Sequence, residues 1–295
     1  MKQTIFLREI LKQYLQQLAL SKSELTVRCY RGDLESFIEW LEKSHGLKRV
    51  DSLKTPHILG YLTGLRVMGK KEATIQRHHF SIGSFCRWLH KMKFAEEDPG
   101  LHVEVPRVQM KAPRVPTLDE IQLIIAQANV ETEAGLRDRT ILELLYSSGL
   151  RASELCALQV HHVVGNSVTI SCGKRNKSRT IPLTQEAQEW VELYISRYRK
   201  NATGQLFVTV QGKKITASLL NVQVKKYAQL AGIEGVTTHT LRHACATHLL
   251  DNGADIRLIQ EILGHASINS TQRYTHLSSG KMQEMFQQFH PRADN

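Results

Sequence analysis

Thr238-His239-Thr240-Leu241-Arg242-His243, then Leu263-Gly264-His265, then Arg273-Tyr274-Thr275-His276 stand in that order near the end of this 295-residue chain. Gly149-Leu150-Arg151-Ala152-Ser153-Glu154-Leu155 precedes them by some ninety positions. Arg242 follows His239 by three residues, so on a helix both project from one face about a turn apart. Gly149 interrupts an apolar helical run that extends over 138–147, which places Arg151 just beyond a helix break. Read outward from these stretches, the chain is expected to surround them with short helices and little sheet.

Two arginines, several histidines and a tyrosine form a chemically pointed set. A DNA phosphodiester resists attack because nucleophile and phosphate are both electron-rich and the alkoxide is a poor leaving group. Cleavage without metal needs cations on the non-bridging oxygens, a positioned nucleophile and an acid for the leaving oxygen. Arginine suits the first task, because its planar fork binds phosphate bidentately and keeps its charge. Arg151 and Arg242 are the candidates. Taken singly, each residue has a plainer reading: Arg151 as a surface side chain after a break, Tyr274 as a packed aromatic. Their conjunction favours the active-site reading. His239, His243 and His248, with Cys245 nearby, could instead hold zinc. The chain lacks His-Glu-x-x-His and any paired cysteine spacing, so neither metal nor other cofactor is expected. His161-His162 reads as a loop or strand edge.

The formal charge of +11 invites a polyanionic partner. Residues 1–98 carry 17 basic and 11 acidic side chains, so the N-terminal part is the more strongly basic per residue. No run of 18 or more apolar residues appears, and the opening Met1-Lys2-Gln3-Thr4-Ile5-Phe6-Leu7 soon turns amphipathic. Neither a membrane span nor a signal peptide is expected. The five cysteines are scattered and odd in number, as for reduced thiols in the cytoplasm.

Four of the seven prolines (Pro99, Pro106, Pro113 and Pro116) fall in one 18-residue stretch without helical periodicity. Proline fixes φ and disfavours helix in the residue before it, so 99–116 is expected to be an extended linker. Region 1–98 shows apolar residues at 3–4 spacing in four blocks, led by Ile5, Val27, Ile58 and Ile75, which predicts a four-helix bundle. Thr26 and Thr74 read as helix starts with basic neighbours Arg28, Arg31 and Arg77, a combination suited to phosphate. The same residues also fit a solvated helix face. Region 117–295 is mixed. Thr117 with Glu120 has the pattern of a capping box. Two strands are expected at 167–172 and 179–183, with a basic turn between them. Helices are expected at about 184–199, 217–231, 239–251, 255–263 and 281–289.

Gly-Leu-Arg-Ala-Ser-Glu-Leu, His-Thr-Leu-Arg-His, Leu-Gly-His and a tyrosine nine residues after that histidine resemble the motifs of the tyrosine recombinases, the phage-integrase family. The resemblance covers most of the chain, and the ending His290-Pro291-Arg292-Ala293 is similar to the tail of Xer-type resolvases. It implies a fold that is mainly α with a small antiparallel β element. A helical, SAM-like core-binding domain (1–98) and a mixed α/β catalytic domain (117–295) would be joined by the linker. It further implies that Tyr274 is the nucleophile, forming a 3′-phosphotyrosyl link and freeing a 5′-hydroxyl. Arg151 and Arg242 would clamp the scissile phosphate, His265 would bond a non-bridging oxygen, and His239 would help handle the tyrosine proton. Lys174 would protonate the departing oxygen, and Glu154 would support the first arginine. Rejoining would need no ATP, since the phosphotyrosyl bond conserves the energy of the linkage. The tyrosine, whose ordinary pKa is about 10, would need the site's positive charge to favour its phenolate.

The partner implied is double-stranded DNA with inverted-repeat core sites. It would be bound by a homotetramer, or by this chain paired with a related recombinase, through a Holliday junction and with an accessory activator protein in some systems. The C-terminal helix, with Met282, Met285, Phe286 and Phe289 on one stripe, is suited to donation to a neighbouring protomer or to packing on its own domain. Two departures from the family stand out. Arg175 replaces a turn glycine beside Lys174, with Lys177 close by, and Thr238 takes the place of a frequent proline as a further potential N-cap. Two roles compete within the family, resolution of dimers and integration or excision of mobile elements. The rivals outside it are an accessory DNA-binding protein without cleavage activity and a metal-dependent nuclease.

Overall fold

The computed structural model describes residues 5–104, 114–170, 178–200, 203–264 and 279–292. The chain divides into two compact units, Met1–Lys111 and Ala112–Asn295. Among the described residues no helix is long and apolar enough to cross a membrane.

Among its described residues the N-terminal unit holds four α-helices, α1 (Leu7–Ser21), α2 (Glu24–His45), α3 (Thr55–Val67) and α4 (Glu72–Lys91). Each buries the stripe that its apolar spacing marks out: Leu7, Ile10, Leu11 and Tyr14 on α1; Leu34, Phe37, Ile38 and Leu41 on α2; Ile58, Tyr61 and Leu62 on α3; Ile75, Ile82, Phe85 and Leu89 on α4. The two threonines expected to start helices sit one turn inside them. Ser23 caps α2, its Oγ accepting the Thr26 N–H at 3.2 Å, and the Thr26 hydroxyl lies 2.8 Å from that same oxygen. A serine three residues upstream satisfies one of the open N–H groups of the first turn. Helix α4 likewise begins at Glu72, and the Thr74 N–H is bonded to the Lys71 carbonyl.

Pro99–Glu104, the start of the proline-rich stretch, is packed against these helices. Thr55 Oγ1 donates to the Pro99 carbonyl at 2.9 Å, His79 Nε2 donates to the Val103 carbonyl at 2.8 Å, and the Val103 side chain is buried.

The C-terminal unit opens with α5 (Leu118–Ala126). Its start is the reciprocal pair read from the sequence: Glu120 N–H to Thr117 Oγ1 at 3.2 Å, and Thr117 N–H to Glu120 Oε2 at 2.9 Å. Helix α6 (Glu133–Ser147) begins earlier than expected. Thr132 caps it, its Oγ1 accepting the Gly135 N–H at 3.0 Å, but the first turns bury the charged pair Arg137 and Asp138, so apolar spacing does not mark them as helix. After α7 (Ala152–Ala157) come β1 (Val163–Val164), β2 (Ser167–Ile170) and β3 (Arg179–Pro182), an antiparallel sheet in the order β1-β2-β3. Val168 pairs with Ile181, both fully buried, and Ile170 with Arg179. β1 has only two residues, too few to show an alternation in sequence.

Helices α8 (Gln185–Tyr194), α9 (Ala217–Leu230), α10 (Thr238–Asp251) and α11 (Ile256–Leu263) follow, then α12 (Ser279–Phe289). The α10 cap is Thr237, whose Oγ1 accepts the Thr240 N–H at 3.1 Å; Thr238, read as a potential cap, is the first helical residue. On α12 the stripe offered to a neighbour lies, in the single chain, on its own unit. Phe286 is fully buried, and Met282, Met285 and Phe289 pack against the same core. Beyond it Arg292 reaches Glu143 at 2.6 Å and also pairs with Glu186.

Candidate functional site

Gly149 links α6 to α7 at φ 56°. A Cβ there would lie 2.8 Å from the Leu263 side chain, so both the left-handed backbone and the close approach of α11 require glycine. The turn delivers Arg151 to the N-terminus of α7. Its backbone N–H donates to Glu154 Oε2 at 2.9 Å and its Nη1 to Glu154 Oε1 at 2.8 Å, while Nη2 reaches the Gly264 carbonyl at 3.2 Å. The spacing of Arg151 and Glu154 in Gly-Leu-Arg-Ala-Ser-Glu-Leu is thus a local device, in which the acid caps a six-residue helix and fixes the arginine that precedes it.

Arg242 arrives from α10, one turn after His239. Its Nη1 donates to the Gly149 carbonyl and its Nη2 to the Leu263 carbonyl, both at 2.6 Å. Only 6% of this residue is exposed, against 43% of the Arg151 side chain, so Arg151 is the more accessible to a ligand and Arg242 lies within the wall. Two of the five guanidinium N–H donors of Arg242 are spent on carbonyls.

Arg179, the first residue of β3, completes the cluster and carries no role in the sequence reading. Its Nη1 and Nη2 hold the two oxygens of Glu154 at 3.0 and 2.9 Å, and its Nε donates to the Ile262 carbonyl at 3.1 Å. Ile262, Leu263 and Gly264 are the last carbonyls of α11, which lack partners in their own helix and sit at the negative end of its dipole. Each takes one guanidinium: Arg179, Arg242 and Arg151 in turn. Helix α11 stops at Gly264 in the left-handed region (φ 62°), where a Cβ would come within 2.7 Å of Arg179. No motif in the sequence links Arg179 to Glu154. The only available signal was an arginine opening a strand that turns inward at Ile181.

Three guanidiniums gather beside one carboxylate, two of them bonded to it and Arg242 held on neighbouring carbonyls, which leaves a local charge of about +2 among these four groups and a seat for an anion. Burial lowers the Arg242 pKa to about 10, helped by the neighbouring charges of Arg151 and Arg179, yet leaves it protonated at neutral pH. Burial by itself would raise the Glu154 carboxyl. The hydrogen bonds from Arg179 and from the Arg151 backbone outweigh it and hold Glu154 below the usual carboxylate range. Glu154 therefore stays ionised, and its charge is already balanced before a ligand arrives.

His239 lies exposed in the first turn of α10. The histidines weighed as zinc ligands are dispersed: His243 is exposed, His248 Nδ1 lies 2.9 Å from the Tyr146 hydroxyl, and buried Cys245 faces the Ser147 carbonyl. Among the described residues no group of three or more His, Cys, Asp or Glu could hold a metal ion. His161 and His162 stack edge to face in a short 3-10 turn. Lys174, His265 and Tyr274 lie outside the described residues.

The phosphate candidates read from the sequence of residues 1–98 lie in the helical unit. Arg28 and Arg31 are exposed on α2, while Arg77 on α4 donates to the buried Asp33 carboxylate at 2.7 Å.

Comparison with known proteins adds a family. Residues 114–281 match the phage integrase family and residues 11–93 the phage integrase N-terminal SAM-like domain. Tyrosine recombinase XerD of Oceanobacillus iheyensis is 38% identical over 279 residues, covering 92% of this chain and 94% of the relative. Tyrosine recombinase XerD of Halalkalibacterium halodurans is 36% identical over 292 residues, covering 96% and 98%. In three dimensions the chain is similar to a lambda integrase dimer bound to a COC′ core site, with a TM-score of 0.73 and 18% identity over 90% of this chain and 76% of that one. It is also similar to a lambda integrase tetramer bound to a Holliday junction, with a TM-score of 0.72 and 17% identity over 92% of this chain and 80% of that one. At these identities the structural likeness speaks for the fold, which is mainly helical with one small antiparallel sheet.

Proposed function

The chain belongs to the phage integrase family, and from that membership we infer that it is a tyrosine-type site-specific DNA recombinase, cutting and rejoining DNA through a covalent phosphotyrosyl intermediate. The observation that carries this reading is the cluster of Arg151, Arg179 and Arg242 around one carboxylate and the end of α11. It is an electropositive seat of fixed geometry, and a phosphodiester in transition needs preorganised positive charge of this kind. Arg151 and Arg242 are assigned to the scissile phosphate and Glu154 to their support. Tyr274 is the nucleophile, Lys174 the acid for the leaving 5′-oxygen, and His239 and His265 the groups that handle the tyrosine proton and a non-bridging oxygen. Those last four assignments rest on the order and spacing of the motifs.

The substrate is duplex DNA with inverted core sites. The helical unit supplies phosphate contacts through Arg28, Arg31 and Arg77, with Thr26 and Thr74 as weaker candidates one turn inside their helices. The working assembly is four protomers on two duplexes, formed by this chain alone or with a related recombinase, and α12 leaves its own groove to dock on a neighbour. Of the two biological roles, the Xer-like one is the better supported, because relatives bearing that name match more than nine-tenths of this chain.

Covalent capture tests the reading. The protein is mixed, in EDTA, with randomly nicked genomic DNA of the organism that encodes it, and SDS-resistant adducts are recovered and their attached ends sequenced. Adducts enriched at one inverted repeat, and absent with Tyr274→Phe, are expected. Adducts that persist in Tyr274→Phe would remove the assigned nucleophile. Cleavage that disappears in EDTA would point to a metal-dependent nuclease.

A further inference from the structure

Two hydrogen bonds of Arg179 end on the carboxylate that holds Arg151, and another ends on the helix terminus that holds Arg242. The carboxylate is that of Glu154, which binds both the Arg151 side chain and its backbone. The helix contact goes to the Ile262 carbonyl, one residue before the carbonyl that binds Arg242 and two before the one that binds Arg151. The side chain is 13% exposed, so it is placed to act on its neighbours rather than on solvent. Its effect on charge is as specific as its geometry. Were Glu154 paired with Arg151 alone, the two would neutralise each other and Arg151 would offer a phosphate little net attraction. With Arg179 satisfying both carboxylate oxygens, Arg151 is oriented by Glu154 yet keeps its positive charge available.

We propose that Arg179 is a positioning residue for the DNA cleavage step, bridging Glu154 to the end of α11 so that Arg151 and Arg242 face the phosphate in fixed register. The proposal rests on the recombinase reading above. Arginine is required in this role, because lysine offers one point of charge where two carboxylate oxygens and a carbonyl must be met at once.

The test measures the rate of adduct formation on randomly nicked genomic DNA in EDTA, with non-covalent DNA retention and thermal unfolding followed in parallel. Arg179→Ala is expected to slow adduct formation about 10- to 100-fold, the scale of a small misplacement of catalytic groups. DNA retention should stay within about twofold, since the buried side chain spends its donors inside the protein. Arg179→Lys, which keeps the charge and guards against loss of fold, should recover only part of the rate. The acid limb of the pH–rate profile should move to higher pH in both variants, because Glu154 loses the partner that keeps it ionised. In a Glu154→Gln background the same substitutions should cost much less and shift nothing. Rates equal to wild type, or equal losses in both backgrounds with an unmoved pH profile, would overturn the inference and leave the recombinase reading standing. A wild-type chain that forms no adduct would overturn both.

Discussion

Each unit of this protein holds a carboxylate that gathers cations, buried in one and half-buried in the other, and the two centres differ in charge. In the helical unit Asp33, with 3% of its side chain exposed, accepts from Arg77 at 2.7 Å and from the Ser81 hydroxyl at 2.8 Å, with His78 Nε2 at 3.3 Å. All three partners come from adjacent turns of α4, so one helix register supplies them. Burial lowers the His78 pKa against the pull of Asp33, which leaves one full cation for one anion. In the catalytic unit Glu154 meets one arginine just beyond a helix break and another from a strand, and a third arginine joins through the end of α11. A balanced carboxylate fastens two helices; an outnumbered one leaves a positive seat. The same side-chain chemistry serves cohesion in one place and anion binding in the other.

That contrast can be broken most directly at the two acids. Glu154→Ala should slow adduct formation about 100-fold or more, as the loss of a fixed electrostatic partner does in other active sites. Asp33→Ala should leave the rate per bound complex within about twofold. Single-turnover capture on both variants decides it, and an equal loss of rate in the two would erase the distinction.

Stability should order them the other way. Asp33→Ala takes an acceptor from buried His78 and Ser81, and although Ser81 keeps the Arg77 carbonyl at 2.9 Å, a loss of about 2 kcal/mol is expected by urea unfolding. The Arg77 side chain is 53% exposed, so water replaces much of what that end loses. Asp33→Asn, which keeps an acceptor for Ser81, should cost about half as much. An unfolding curve that Asp33→Ala does not move would mean the centre contributes no cohesion.

Gly149→Ala sharpens the catalytic side. A left-handed alanine costs about 1–2 kcal/mol, and its Cβ would press on Leu263, whose carbonyl Arg242 holds. Both stability and adduct rate should fall, whereas alanine at Gly64, a helical site with open space around it, should change neither rate nor stability by much. Matched losses at both glycines would show that the α11 contact is not what matters.

The smallest effect is expected at a third centre, where Arg292 and Arg139 meet Glu143 and where His290 is buried beside Tyr146. Burial raises Glu143 to about 7 and lowers His290 to about 3. A carboxyl raised on folding makes stability fall as pH climbs from its unfolded value towards 7. A histidine lowered on folding makes stability rise as pH climbs from about 3 towards its unfolded value. The two trends oppose each other between roughly pH 4.5 and 6.5. Glu143→Gln should therefore leave a stability that increases with pH in that window, and His290→Gln one that decreases. Parallel slopes in the two variants, measured by thermal unfolding, would contradict the assignment.

The sequence by itself determined the helices of both units apart from α7, the Thr117–Glu120 cap, and the sheet that joins β2 to β3, while the grouping of Arg151, Glu154 and Arg242 came from the resemblance to a family. Those features follow from local rules: apolar spacing over a few turns, a cap three residues from its acid, a glycine that ends a helix. The tertiary structure decided what lies between distant segments. Arg179 is 25 residues from Glu154 and 83 from Ile262, and Asp33 is 44 from Arg77; no periodicity encodes those meetings. The start of α6 and the caps at Ser23 and Thr237 were also settled by context, since several neighbouring hydroxyls could satisfy the same N–H groups and the first turns of α6 bury a charged pair instead of apolar residues. The depth of Arg242 beside the more open Arg151 belongs to the same class. Chemistry can be read from residue types and their order, but burial and shared partners exist only once the chain has closed on itself.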